Sequence, residues 1–256
     1  MRGPIAKEQL KAFFTSVIDS RETERVIMAL DPRQFSAEEQ VQAALVALQD
    51  AVAVFQGARY ALVEAQAHLA FHGTDADGTP TPAAIFYSQF YVEDAYLRLP
   101  RAADLVATTL MLFLEIPIKD VQAEIKTPGG LSAAFAKYLG RHIKKSNIAK
   151  AFQRLYDTED WKFVVAQREA WLRGQSVRIQ GVGIAHSRQV GWDIMEKQQV
   201  ERSARDFGLL TVNPVVRRSQ LEYSLPTLFS RAKGGYNSLV TLLHSVYEEF
   251  ARSSRG

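Results

Sequence analysis

From residue 41 onward apolar side chains recur at alternating intervals of four and three: Val41, Leu45, Leu48, Val52, Phe55, Leu62 and Leu69. That spacing holds them on one face of a helix. Arg59 and Gln66 interrupt the stripe; they either mark a polar pocket or, the favoured reading, lie at its edge with stems along apolar surface and heads in water. Ser36-Ala37-Glu38-Glu39 has the form of a capping box, so the helix is expected to begin there and to run to about Phe71, where His72-Gly73 ends it. Thr81-Pro82 is a cap and first-turn pair for a second long helix reaching about Glu115, which Pro100 is expected to kink. Shorter helices are predicted at 131–143, 146–156 and 158–173. A stripe of Ala232, Tyr236, Leu239, Leu243, Val246 and Phe250 predicts a last helix from Ser224 to Arg252. Residues 174–223 break the pattern. They hold the Val177-Arg178-Ile179 alternation, Gly181, Gly183 and Val212-Asn213-Pro214-Val215-Val216, and read as an irregular insertion with a short hairpin.

The fold class this predicts is all-α: a helical bundle built on two long antiparallel helices, in one domain. Its parts are a helical extension (1–35), a core bundle (36–173), the insertion (174–223) and a closing helix (224–256). With 256 residues, 47% of them hydrophobic, the chain can bury a core without disulfide or metal staples. It has no cysteine, which excludes thiol catalysis and cysteine-based zinc sites. The start, Met1-Arg2-Gly3-Pro4, runs into the amphipathic AKEQLKAFF with no apolar signal-peptide core. The most apolar stretch, Leu105–Ile118, is too short to cross a bilayer and has Asp104 and Glu115 at its edges. A cytoplasmic protein with no membrane partner is expected.

Charge changes the picture more than composition does. Residues 1–140 hold 12 Lys/Arg and 17 Asp/Glu, and residues 141–256 hold 19 and 11. A basic half points to phosphate or an acidic partner, or to attraction between the two halves. The basic groups concentrate at Arg141, Lys144, Lys145, Lys150, Arg154, Lys162, Arg168, Arg173, Arg178 and Arg188. Only four acidic residues lie among them. Such a face suits RNA or nucleotide phosphates, with Trp171 or Tyr156 for base stacking; a solvated charged surface is the other reading.

Phosphate-binding loops, nucleophile elbows, HExxH pairs and GxGxxG turns are absent from the sequence. No cofactor and no metal is expected. His68 and His72, one helical turn apart, could share a metal, but without a third ligand they read as a surface pair. Asp75-Ala76-Asp77-Gly78 has its glycine two positions too early for a calcium loop and reads as a surface turn. On the 158–173 helix, Trp161, Val164, Val165, Arg168 and Leu172 share a face, so Arg168 sits within an apolar stripe. A guanidinium there needs a partner: a buried salt bridge, for instance to Asp94 or Asp104, or an anion in a cleft. The polar stripe Tyr87, Tyr91, Asp94, Arg98, Arg101 could line that cleft or bridge internally.

The run Phe90-Tyr91-Val92-Glu93-Asp94-Ala95-Tyr96-Leu97-Arg98-Leu99 with Ala103-Asp104-Leu105 is followed downstream by Trp161 and Gln167-Arg168-Glu169-Ala170-Trp171-Leu172-Arg173. Together they resemble the HEPN superfamily, and most the larger HEPN-like proteins of bacteria, over roughly residues 40–180 and the closing helix. The resemblance implies a helical bundle that forms a homodimer. It also implies metal-independent ribonuclease chemistry in toxin–antitoxin, abortive-infection or CRISPR settings, carried by an Arg-x(4–6)-His motif that often begins Arg-Asn. Arg168 takes the place of the motif arginine. Glu169 stands where asparagine is usual, and Arg173 where the histidine falls if four residues intervene. An arginine cannot trade a proton at neutral pH, although it can hold phosphate. His186, 18 residues after Arg168, is the remaining candidate proton carrier if the insertion folds back. The function expected is therefore a catalytically degenerate HEPN-like protein binding RNA or nucleotide. An active ribonuclease toxin and a structural assembly subunit are the alternatives. An antitoxin or other protein is a further expected partner.

Overall fold

The structure, a computed structural model, describes residues 19–74, 80–124, 130–144, 146–173, 177–179 and 222–253. Among these the chain is all-α. Helices α1 (Arg21–Ala29), α2 (Pro32–Phe35), α3 (Glu39–His72), α4 (Pro82–Phe113), α5 (Ile118–Gln122), α6 (Gly130–His142), α7 (Asn147–Asp157), α8 (Glu159–Leu172) and α9 (Leu225–Ser253) are accompanied by a parallel ladder of β1 (Arg178–Ile179) on β2 (Glu222–Tyr223).

The predicted stripe on α3 is the core face: Leu45, Leu48, Val52, Phe55 and Leu62 are all buried. The start of the helix is not the capping box that the sequence spelled. Ser36 Oγ accepts from the Glu38 amide, Gln42 donates to the Ser36 carbonyl, and the helix begins at Glu39. The serine closes the short α2 instead of opening α3, because its hydroxyl is taken two residues on. Arg59 departs from expectation as well. Its Nη1 donates to Glu24 Oε1 at 2.6 Å, so a buried carboxylate on α1 draws its head inward. By length and hydropathy α3 is the one described helix that could cross a membrane. Here its apolar face is packed against α4.

Thr81 caps α4 as its sequence predicts, accepting from the Ala84 amide at 3.2 Å, and the helix is continuous through Pro100 to Phe113. Ser88 bonds the Ala65 carbonyl and Gln40 the Leu112 carbonyl, so the two long helices run antiparallel. The closing helix α9 lies against both. Phe55 stacks on Tyr236 at 4.4 Å, Tyr96 donates to the Leu228 carbonyl, and Phe113 stacks on Phe250 at 4.2 Å. Every member of its predicted stripe is buried. Between these contacts Ser20 bonds Tyr236 and Thr23 bonds His244, tying α1 to the middle of α9.

Residues 178–179 and 222–223, near the ends of the insertion, pair in parallel, whereas a hairpin pairs antiparallel; residues 180–221 lie outside the described set. Val177 is fastened to α4, its amide donating to Glu93 and its carbonyl accepting from Gln89. These two side chains do for β1 what a neighbouring strand would do.

Helix α8 reaches α9 closely at Gly235, where a Cβ would lie 2.7 Å from Val164 Cγ2. Val164 is fully buried and β-branched, so it has no rotamer to yield. Gly235→Val is expected to destabilise the protein by about 2–3 kcal/mol, the usual cost of overpacking, despite the gain in helix propensity. Urea unfolding checks this, and an unchanged midpoint would sink the close-approach argument.

Candidate functional site

Arg168 enters the interior from the third turn of α8, two turns beyond the fully buried Trp161. Its Nη1 lies 3.7 Å from Asp104 Oδ2 of α4, with the two side chains 19% and 10% exposed. Asp104 is thus the partner, of the two carboxylates the sequence offered. Asp94 instead pairs with Arg98 at 2.7 Å along its own helix.

Asp104 does more than pair with Arg168. Its Oδ1 accepts from the Ser132 amide at 2.9 Å and from the Ser132 hydroxyl at 2.7 Å. A carboxylate from one helix thereby caps the first turn of another, α6, where free amides and the helix dipole favour negative charge. Since Ser132 gives its hydroxyl proton to Asp104, Tyr156 must give its own to Ser132, 2.7 Å away. Burial pushes the Tyr156 hydroxyl well above the ordinary tyrosine range, so it remains a proton-bearing donor. Gly130 begins α6 with φ +75°, and a Cβ there would sit 2.9 Å from Asp104 Oδ2 and 3.2 Å from Arg168 Nη1. The anion place beside Arg168 is filled by the protein's own carboxylate. Arg168 Nη1 is buried and has no hydrogen bond, so the ion pair is what balances it.

The resulting chain of groups, Tyr156 to Ser132 to Asp104 with Arg168, can hold charge and fix the junction of α4, α6 and α8. It contains no histidine to move a proton at a ribose hydroxyl. Each of the four described histidines has its contacts elsewhere. His244 bonds Thr23, His142 lies on Tyr138, and His68 and His72 stack in parallel 5.5 Å apart. Tyr87 lies against both of the last two and Tyr91 against His68. Of the polar stripe, Asp94 and Arg98 bridge each other, Tyr87 and Tyr91 lie against the α3 histidines, and Arg101 is exposed. Among the described residues no three His, Asp or Glu side chains converge as a metal site would require.

The basic face is partly as expected. Phe135 packs edge-on against Phe152, which sets α6 beside α7. Lys144, Lys150 and Arg154 are exposed on these helices and the turn between them. Arg141 is exposed too, but is engaged by Glu124. Arg173 is exposed after α8, its Nε donating to the Glu169 carbonyl. Lys162 pairs with Glu159 at 2.7 Å. Tyr156 is turned inward and unavailable for stacking, because its hydroxyl belongs to the Ser132 chain; Trp171 is half-buried. Leu172, expected on the apolar stripe of α8, is 58% exposed because the helix ends there. Lys145, His186, Arg188, the side chain of Arg178 and the 75–78 turn lie outside the described residues.

A second buried polar centre lies where Arg59 interrupts the α3 stripe, the polar pocket that is the less favoured of the two readings its sequence allows. Glu24, 1% exposed, receives Arg59 and the Ser20 hydroxyl, and Ser20 contacts Tyr236 at 3.1 Å. A mid-stripe arginine is the one signal that pointed to it. No family model, curated protein or solved structure matches this chain.

Proposed function

We propose that the protein binds RNA through the solvent face of α6 and α7 and does not cut it. One observation carries this reading: Arg168 is committed inward to Asp104, while Lys144, Lys150 and Arg154 reach solvent with no carboxylate partner among the described residues. Exposed, unpaired cations on adjoining helices release counterions when phosphates replace them, which is the main source of sequence-independent affinity for nucleic acid. The reading makes the chain a HEPN-like protein with a degenerate motif. It would act in a defence or toxin–antitoxin setting, with an antitoxin or other protein as partner.

The test uses labelled RNA in EDTA at two salt concentrations. Wild-type affinity is expected to fall steeply with salt. Lys150→Glu with Arg154→Glu should weaken binding about 10–100-fold and reduce the salt slope by about 1–2. Arg168→Met should stay within a few-fold of wild type. RNA cleavage lost in both Arg168→Ala and His186→Ala would overturn the reading in favour of a ribonuclease. No RNA binding at low salt would leave the assembly-subunit reading.

A further inference from the structure

Five rings lie on α6 and α7: Phe135, Tyr138, His142, Phe152 and Tyr156. Three of them are closed to a ligand. Phe135 and Phe152 are fully buried against each other, and Tyr156 is turned inward onto Ser132. The other two make one feature at the end of α6. His142 is exposed, and its ring lies 4.5 Å from that of Tyr138, tilted by 32°. Tyr138 is half-buried and packs on the core, so it anchors the pair. Among the described residues no hydrogen bond or ion pair engages the imidazole.

The turn that follows brings cations to that ring. The Ile143 carbonyl accepts from the Ser146 amide at 3.1 Å, which closes residues 143–146 into a tight turn, and the Ser146 hydroxyl caps α7 at the Ala149 amide. Lys144 sits within the turn, two residues from His142, so their Cα atoms are at most about 7 Å apart. Lys150 lies in the first turn of α7, its amide bonded to the Ser146 carbonyl at 3.2 Å. Both lysines are exposed. Glu124, the carboxylate bonded at this end of α6, is answered by Arg141.

We infer that the His142–Tyr138 pair is a base-stacking platform. An unpaired nucleobase lies on the open face of His142, while the phosphates on either side of it meet Lys144 and Lys150. The platform rests on the RNA site proposed above and adds what its cations lack. Phosphate contacts position a strand but accept any backbone. A ring face takes a base only where that base is free to leave its own stack, so it favours strands with unpaired bases. Imidazole and phenol rings have few rotatable bonds, and Tyr138 is already held by the core, so little side-chain freedom is lost when a base docks. The larger exposed ring surface on α4, at Phe86 and Phe90, lacks this combination: α3 and α4 carry no lysine, and Arg98 is taken by Asp94.

Fluorescence anisotropy of the full chain in EDTA at pH 8 tests it with two labelled probes of equal length, an oligoadenylate strand and an abasic ribose-phosphate strand. The readout is the ratio of the two affinities. Wild type is expected to prefer the adenylate strand about 5–100-fold, the usual worth of a stacked base. His142→Ala should bring the ratio close to one, with the salt slope unchanged because stacking releases no counterion. His142→Phe, which keeps a ring, should restore the ratio; His142→Lys, which brings charge without a ring, should not. Lys150→Glu with Arg154→Glu should weaken both strands and leave the ratio standing. Circular dichroism checks that each variant folds, as exposure of these side chains leads one to expect. Equal wild-type binding of the two strands, or a preference that survives His142→Ala, overturns the platform and leaves the RNA reading intact. If neither strand binds at low salt, the RNA reading falls and the platform with it.

Discussion

Replacing Asp104 with alanine should cost about 3–5 kcal/mol, the range for stranding one member of a buried ion pair. For a chain of this length that is a fall in melting temperature on the order of 10 °C. The loss has two parts. Arg168 keeps its buried Nη1 with no counter-charge, and α6 loses the acceptor that engages both the amide and the hydroxyl of Ser132. Removing the other partner is expected to be milder. In Arg168→Met, Asp104 retains both bonds from Ser132 and the positive end of α6, so the cost should be about 1–2 kcal/mol. Thermal and urea unfolding of the two variants decide the matter. Equal costs would mean that Asp104 answers to Arg168 alone and that the cap on α6 is energetically idle.

The second large effect is expected at Gly130, with Gly73 as its natural control. Both have positive φ, +75° and +71°, where an alanine pays backbone strain of about 1–2 kcal/mol. At Gly73 a Cβ would meet nothing within 4 Å, and strain is the whole expected effect of Gly73→Ala. At Gly130 the same Cβ would press on both Asp104 oxygens, at 2.9 and 3.0 Å, and on Arg168 Nη1. A buried, bonded carboxylate cannot step aside without losing Ser132. Gly130→Ala should therefore cost about 3–4 kcal/mol, roughly 2 kcal/mol beyond Gly73→Ala, the excess being a typical overpacking penalty. In an Asp104→Ala background the excess should shrink sharply, since the two closest atoms it would strike are gone. Additive losses in that double variant would show that the crowding argument is wrong.

How much of this was legible in the sequence follows from the range of each interaction. The stripes of α3 and α9 and the Thr81 cap are local, set by spacing and by one side chain reaching a nearby amide, and they stand where the sequence placed them. Ser36 shows the limit even at short range. The same residue types permit a capping box or a two-residue turn, and the helix next door took the serine. Arg168 was recognisable as an arginine in need of a partner, but the choice of Asp104 over Asp94 depends on which side of α4 faces α8, and no periodicity encodes that. Glu24 and Arg59 are 35 residues apart, and neither neighbourhood announces the other. The HEPN likeness stayed an expectation: it rested on helix layout and local patterns, the motif's histidine position holds Arg173, and the structure seats Arg168 in a bridge to Asp104.

The placement of α9 has a consequence for the growing polypeptide. Tyr236 touches Phe55 of α3 and Ser20 ahead of α1, and the Leu228 carbonyl receives Tyr96 of α4, so the last described helix to be translated holds three of the earliest together. Until the ribosome has released residue 250, the core faces of α3 and α4 have no lid along one side, and the buried Glu24–Arg59 pair lies open to water. A nascent chain stalled within the insertion would present that apolar trough to chaperones. Final closure, and with it the burial of its polar centre, therefore waits until α9 has emerged and can dock.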